Sequence, residues 1–303
     1  MTTYCTLKLN LCQIQKIKYS YKEFLVDNSF SDKIICLIKK NKITITCFYT
    51  GTCLLQGVNI QPEIENLQNL LNMSFNFHSA RSFHNPQQNQ NDNIGSDESG
   101  TGDVFGPITV CCAFVTAKNA IFLKQKKIQD SKKLSKKKIF ETAPIIMEKI
   151  PYCCEILSPL DYNCLIKIHN IKKILALLHN RIILKLLKKI NQKVPVVLDQ
   201  FIAPVNYFHY LRNTEQVHRE IIFQTQAEST YLSVAAASII ARYLFLREIN
   251  KLGNLMNINL KLGATKQVNE QIFFIYSNKG VNILKKISKC NFKNVKDNYK
   301  IKF

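Results

Sequence analysis

Apolar and polar positions along the chain sort into two regions with different textures. The stretch Ile171–Ile190 places Ile171, Ile174, Leu175, Leu178, Ile182 and Leu186 on one face and several Lys on the other, which predicts an amphipathic helix of about that length. A second helix is expected from Thr230 to Leu252, with Ala235, Ala236 and Ala237 providing small residues for a close approach to a sheet. Between and before these lie short apolar runs at Ile108–Val115, Cys153–Leu157, Val194–Leu198 and Ile221–Phe223 that read as strands. Strands interspersed with helical patterns predict an α/β fold built on a layered sheet.

The amino-terminal texture differs. "ITITCFYTGTCLLQG" reads as two short strands turning at Thr50 and Gly51, and "PEIENLQNLLNM" puts Ile64, Leu67, Leu70 and Leu71 on one helical face after Pro62. Polar residues crowd between Asn76 and Asn93 with little apolar periodicity. At 303 residues the chain exceeds a typical single domain of roughly 100–200 residues. A division into a small α+β domain over 1–74, a polar linker over 75–90 and a larger domain over 91–303 follows.

Composition changes the picture mainly through charge. Forty-two Lys plus Arg against 21 Asp plus Glu give a formal +21, which suits a polyanionic partner such as nucleic acid. An AT-rich coding bias raises Lys, Asn and Ile together and competes as an explanation. Eleven Cys without a CxxC pattern fit reduced thiols in a cytoplasmic protein better than a disulfide framework or a metal site. No run of about 20 clean apolar residues is present, so no membrane association is expected.

Four carboxylates stand in settings that suit a metal site: Asp97 and Glu98 in "IGSDESGTGD", Asp199 closing "VPVVLD", and Glu228 ahead of "STYLSVAAASIIAR". Each alone has a plain alternative. Asp199 can simply end a strand, and Glu228 can be a charge favoured at a helix amino terminus. If all four converge, their repulsion, about 4 kcal/mol for each pair at 4 Å and an effective dielectric of 20, needs divalent cations to offset it. An all-oxygen donor set selects hard ions, Mg2+ or Mn2+, over Zn2+. Two such ions would activate a water in line with a phosphodiester and stabilise its leaving 3′ oxygen. Because neighbouring residues of a regular strand face opposite ways, a strand end or a bend is expected at Asp97 and Glu98. Gly100 and Gly102 follow and allow a backbone to come close to a sugar or phosphate.

Taken in order, "GSDESGTGDVFGP", "DSKKLS", "LLHN", "LDQF" and "AESTYLSVAAASIIAR" resemble the type 2 ribonuclease H family, and within it the ribonuclease HIII branch. "FYTGTCLLQG" with its following helix is similar to the TATA-binding-protein-like substrate domain of that branch. The resemblance implies a ribonuclease H-like mixed sheet with flanking helices, preceded by that small domain. It also implies an endoribonuclease that cuts the RNA strand of RNA–DNA hybrids, leaving 5′-phosphates. Asp97, Glu98, Asp199 and Glu228 are then the catalytic and metal-binding acids, with Glu228 where the ribonuclease HII relatives carry Asp. Gly100, Thr101 and Gly102 correspond to the loop whose backbone meets ribose 2′-hydroxyls. Lys132 and Lys133, in a stretch from Lys124 to Lys138 holding eight Lys, are expected at phosphates.

His179 and Asn180 match the family but are read as packing or hydrogen-bonding residues outside the site. Departures from the family pattern are a missing Pro in "KLGATKQV", Asn291 in place of His, and Thr52 in place of Lys. A monomer is the default, with no obligate protein partner. Two other readings are an HII-like enzyme incising at single ribonucleotides in DNA and a non-catalytic hybrid-binding protein.

Overall fold

A central strand rich in Ser, Asp and Glu lies buried in the larger half of the molecule, and the two layers that cover it explain why. The computed structural model describes residues 3–26, 34–57, 60–73, 92–125, 128 and 134–299. The chain divides into two units, Met1–His84 and Asn85–Phe303. The stretch expected as a linker, 75–90, lies outside the described residues, as do Lys132 and Lys133.

Unit 1 contains β1 (Thr3–Lys8), α1 (Leu11–Ser20), β2 (Leu25–Val26), β3 (Ile34–Lys40), β4 (Ile43–Phe48), β5 (Thr52–Gly57) and α2 (Gln61–Leu71). Its strands form an antiparallel sheet in the order β1-β5-β4-β3-β2. Alternate residues Cys36, Ile38, Ile45, Cys47, Cys53 and Leu55 point to one face, where Ile14 and Ile17 of α1 and Ile64 and Leu67 of α2 close the core. α1 starts with a reciprocal capping box: the Asn10 side chain accepts from Gln13 N–H, and Gln13 Oε1 accepts from Asn10 N–H.

Unit 2 begins with β6 (Asn93–Ser99) and β7 (Ile108–Val115), then α3 (Ala117–Gln125), α4 (Lys136–Lys149) and β8 (Tyr152–Leu157). It continues through α5 (Pro159–Leu165), α6 (Ile171–Ile190), β9 (Val196–Asp199), α7 (Pro204–Tyr210) and β10 (Ile221–Gln224). A short 3-10 turn at Ala227–Ser229 leads into α8 (Leu232–Met256), followed by α9 (Lys266–Ile287) and α10 (Lys293–Tyr299). The sheet runs β10-β9-β6-β7-β8, with β10, β9 and β6 parallel and β7 and β8 antiparallel. It is therefore mixed, with helices on both faces.

One face packs on α6. Ile94, Ile108, Val110, Cys112 and Phe114 meet Ile174, Leu175, Leu178, Ile182 and Leu186 there. The other packs on α8, where Cys111, Ala113 and Val115 meet the Ala235–Ala237 run and its neighbours. All eight residues of β7 are buried, as a central strand covered on both faces requires. The closest approach of α8 to the sheet falls at Gly95, where an added Cβ would lie 2.1 Å from Val234 N. Among the described residues no helix is long and apolar enough to cross a membrane. All eleven Cys are free thiols.

Candidate active site

The parallel register of β6 and β9 sets the site. Gly95 pairs with Val197 and Ser96 with Leu198, so Asp97 and Asp199 end up level at the carboxy-terminal ends of adjacent strands. Asp199 in turn pairs with Gln224 at the end of β10. Side chains at matched positions of parallel strands share a face, and Val197 packs with Ala227 and Val234, so Asp97 and Asp199 lie on the α8 side. Ligand sites in open α/β sheets favour this edge, beyond the carboxy ends of the strands.

No bend falls at Asp97 and Glu98, and the expected strand end comes one residue past the pair, at Ser99. β6 continues through both to Ser99, with Asp97 opposite Cys111 and Glu98 opposite Val110. Pairing with β7 holds the strand extended through both, so alternation carries through and the two acids leave on opposite faces. Glu98 goes to the α6 side, where its Oε2 lies 3.1 Å from His179 Nε2. His179 is fully buried, its Nδ1 is 2.8 Å from Ser96 Oγ, and its ring stacks on Phe201 with centroids 5.3 Å apart. Ser96 donates to the Cys111 carbonyl (3.1 Å), which pins this chain of contacts to the sheet. His179, read from sequence as packing or hydrogen bonding and left outside the site, is the group that Glu98 meets; its place in the "LLHN" block was the available signal. Its neighbour Asn180 bonds the Gln216 carbonyl and the His218 N–H, tying α6 to the segment before β10.

On the other face, Asp97 is 6% exposed. Burial, then the charges of Glu98 and Asp199, hold its carboxyl well above the usual range, while the Ser238 hydroxyl of α8 and the Glu98 N–H oppose the shift. The Glu98 N–H donates to Asp97 Oδ1 at 2.7 Å. Asp199 Oδ1 accepts the N–H of Ala227 (2.9 Å), which brings the 3-10 turn and its buried Glu228 to the end of β9. Glu228 precedes α8 by a full turn and is not part of that helix's first turn. The structure therefore sets Asp97 and Asp199 on one face of the sheet edge and Glu98 on the other, with the turn that carries the buried Glu228 tied to Asp199 through the Ala227 N–H.

The donor set is oxygen-only, and Asp97 feels the charges of two other acids, which is the chemistry that suits a hard divalent cation. Among the described residues no group of three or more His, Cys, Asp and Glu side chains is arranged as a finished metal site. The contacts just described give the reason: Glu98 is directed to His179 and Asp199 to a backbone N–H.

After Ser99 the chain turns at Gly100, whose φ of +90° and position, with an added Cβ 2.3 Å from the Pro107 carbonyl, admit only glycine. Gly102 is exposed and has nothing within 4 Å of an added Cβ. Thr101, between them, is half-buried. Nothing inside the protein requires glycine at 102, so its smallness serves the solvent side of the loop.

Residues 94–295 match the family model described as Ribonuclease HII. The ribonuclease HIII of Phytoplasma mali (strain AT) is 46% identical over 285 residues, covering 93% of this chain and 94% of that protein. A ribonuclease HIII of Bacillus anthracis is 33% identical over 310 residues, covering 99% of each. Among solved structures, Bst-RNase HIII in complex with Mn2+ is similar with a TM-score of 0.69 at 29% identity, over 97% of both chains.

Proposed function

From the premise that this chain belongs to the ribonuclease HIII family, we propose that it is a divalent-cation-dependent endonuclease that hydrolyses the RNA strand of RNA–DNA hybrids. The observation that carries the reading is the meeting of Asp97 and Asp199 at adjacent strand ends, with the pKa of the Asp97 carboxyl raised well above its usual range by burial and by neighbouring acids. Such an arrangement is costly without a cation and suited to one. Mg2+ is the expected ion, with Mn2+ as an alternative; a similar solved protein is described in complex with Mn2+.

Asp97, Asp199 and Glu228 would hold the ions from the α8 side, and Glu98 from the α6 side. When bound, the cations supply activation of the attacking water and stabilisation of the leaving 3′ oxygen. Asp97 is the acid most fixed in place, through Ser238 and the Glu98 N–H. His179 limits where the Glu98 carboxylate can point. Glu228, on the turn tied to Asp199, would complete the cage and orient water. The backbone of half-buried Thr101 and exposed Gly102 reads the ribose 2′-hydroxyl, the group that separates RNA from DNA. Lys132 and Lys133 contact backbone phosphates, and the domain of residues 1–74 grips the hybrid while the catalytic domain of 91–303 cuts it. The enzyme is taken to act as a monomer in the cytoplasm.

The test is incubation of the purified chain with labelled hybrid, double-stranded RNA and double-stranded DNA, with and without Mg2+ or Mn2+. Cation-dependent cutting of the hybrid alone is expected, leaving 5′-phosphates; cutting without cation, or of the DNA duplex, overturns the reading. The match to a model described as Ribonuclease HII keeps a second reading in view, incision at a single ribonucleotide in DNA. A duplex with one ribonucleotide, compared with one holding a longer RNA tract, separates them, and strong cutting of the former defeats the HIII assignment.

A further inference from the structure

Lys289 is among the largest fully buried side chains of the chain. A lysine is seldom buried without a specific partner, because desolvating its amine is costly. Its Nζ donates to the Gly106 carbonyl at 2.6 Å, with a longer contact of 3.5 Å to the Phe105 carbonyl. Both carbonyls belong to the turn between β6 and β7, the same turn that presents Thr101 and Gly102.

The backbone around it forms a strap. Lys289 N–H donates to the Val104 carbonyl (2.8 Å), Gly106 N–H donates to the Ile287 carbonyl (2.8 Å), and Phe105 and Ser288 form an isolated bridge. Asn163 of α5 fixes the strap from behind. Its Nδ2 donates to the Ser288 carbonyl (2.9 Å) and its Oδ1 accepts the Cys290 N–H (2.9 Å). On the far shoulder, Asp103 Oδ1 accepts the Gly263 N–H at 2.6 Å, and Val104 N–H donates to the Gly263 carbonyl at 3.1 Å. Gly100, crowded by Pro107 and Phe245, closes the near shoulder. Half-buried Thr101 and exposed Gly102 lie between these two shoulders.

We propose that Lys289 is a positioning residue for RNA selection, holding the β6–β7 turn so that the Thr101 and Gly102 backbone meets the ribose. This rests on the ribonuclease reading above and deepens it. Lys289 does not touch substrate; it acts through the carbonyls of Phe105 and Gly106. Burial draws its amine down to about 7, against the opposing charge of Asp103. The hold does not depend on its charge, because a neutral amine still carries two N–H groups for the two carbonyls. A methionine would fill the same space and leave both carbonyls without their donor.

The experiment uses the full chain in an Asp97→Asn background, where cutting is removed, and measures Kd for an RNA–DNA hybrid and for the DNA duplex of the same sequence. Lys289→Met is expected to lower the preference for hybrid over duplex by about tenfold, the equivalent of one well-made hydrogen bond. Duplex affinity stays within about twofold by the same reckoning, and amide exchange at Thr101 and Gly102 speeds up while that of α6 does not. An unchanged preference overturns the proposal, and so does a parallel fall in both affinities with loss of thermal stability, which marks a merely structural role. If Lys289→Met does not fold, Lys289→Gln, which keeps an N–H donor on a shorter arm, carries the test: a smaller loss of preference supports the proposal and none overturns it. Failure of the Asp97→Asn parent to prefer hybrid at all would instead count against the ribonuclease reading itself.

Discussion

His179 holds Glu98 by the carboxylate: Nε2 and Oε2 are 3.1 Å apart, on the opposite side of the sheet from Asp97 and its α8 partner Ser238. The imidazole is itself fixed by Ser96 and by stacking on Phe201, so it offers Glu98 a single direction. Groups that orient a metal-binding side chain typically matter by about 10–100-fold in metal affinity or activity. His179→Phe, which keeps the stacking but removes both ring contacts, is expected to weaken divalent-cation activation by an amount in that range. A titration of activity against Mg2+ reads it as a raised half-saturation concentration; an unchanged curve would show that Glu98 needs no such partner.

Asp97→Asn should abolish cation-dependent cleavage while leaving hybrid binding close to that of the parent. It should also change the pH dependence of stability. Asp97 in the folded chain keeps its proton well above 3.8, so between that pH and its raised value the folded state binds more protons than the unfolded one. The stability it contributes is full at low pH and is lost as pH rises through the raised pKa. Thermal melts in chelator from pH 4 upward should therefore show a falling Tm that Asp97→Asn flattens and that added Mg2+ reverses in the parent.

Gly100 and Gly102 should separate folding from function. Gly100→Ala places a Cβ against the Pro107 carbonyl at a φ of +90°, and should cost more than about 1 kcal/mol of stability, read by denaturant unfolding. Gly102→Ala meets nothing within the protein and should leave stability within about 0.5 kcal/mol while lowering hybrid cleavage. Equal stability losses at both positions would contradict this division of roles.

Lys289 gives stability a second pH signature, of opposite sign. Its amine falls from 10.5 to about 7 on folding, so between those values the unfolded chain binds the extra proton. The penalty of burying the charge is fully present below pH 7, and stability rises as pH climbs from 7 towards 10.5. Comparing the parent with Lys289→Met over that range should show the rise only in the parent.

Several elements were readable in the chain because their patterns are local. β7 was expected over Ile108–Val115 and forms there, since a strand buried on both faces needs an unbroken apolar run. α6 was expected over Ile171–Ile190 and spans those residues, its periodicity being sustained over five turns. The hairpin around Thr50 and Gly51 appears as β4 and β5, and the helix after Pro62 as α2. β6 was harder. "NIGSDES" carries few apolar residues, and its polar ones are accommodated only by distant partners, Ser96 by His179 and Asn93 by Ser233.

The family and the blocks that indicate it were legible in the order of residues, and so were the four acids as candidates, since these depend on side-chain chemistry that a sequence states outright. Which acids share a face was settled only in three dimensions. Alternation puts Asp97 and Glu98 on opposite faces once the strand runs straight through them, but what keeps it straight there is pairing with β7, while the register with β9 runs from Ile94 to Ser96. The same long-range register sets Asp97 beside Asp199, and the packing of α6 and α8 brings His179 to one acid and Ser238 to the other. No local pattern encodes a neighbour that arrives 80 or 140 residues later along the chain.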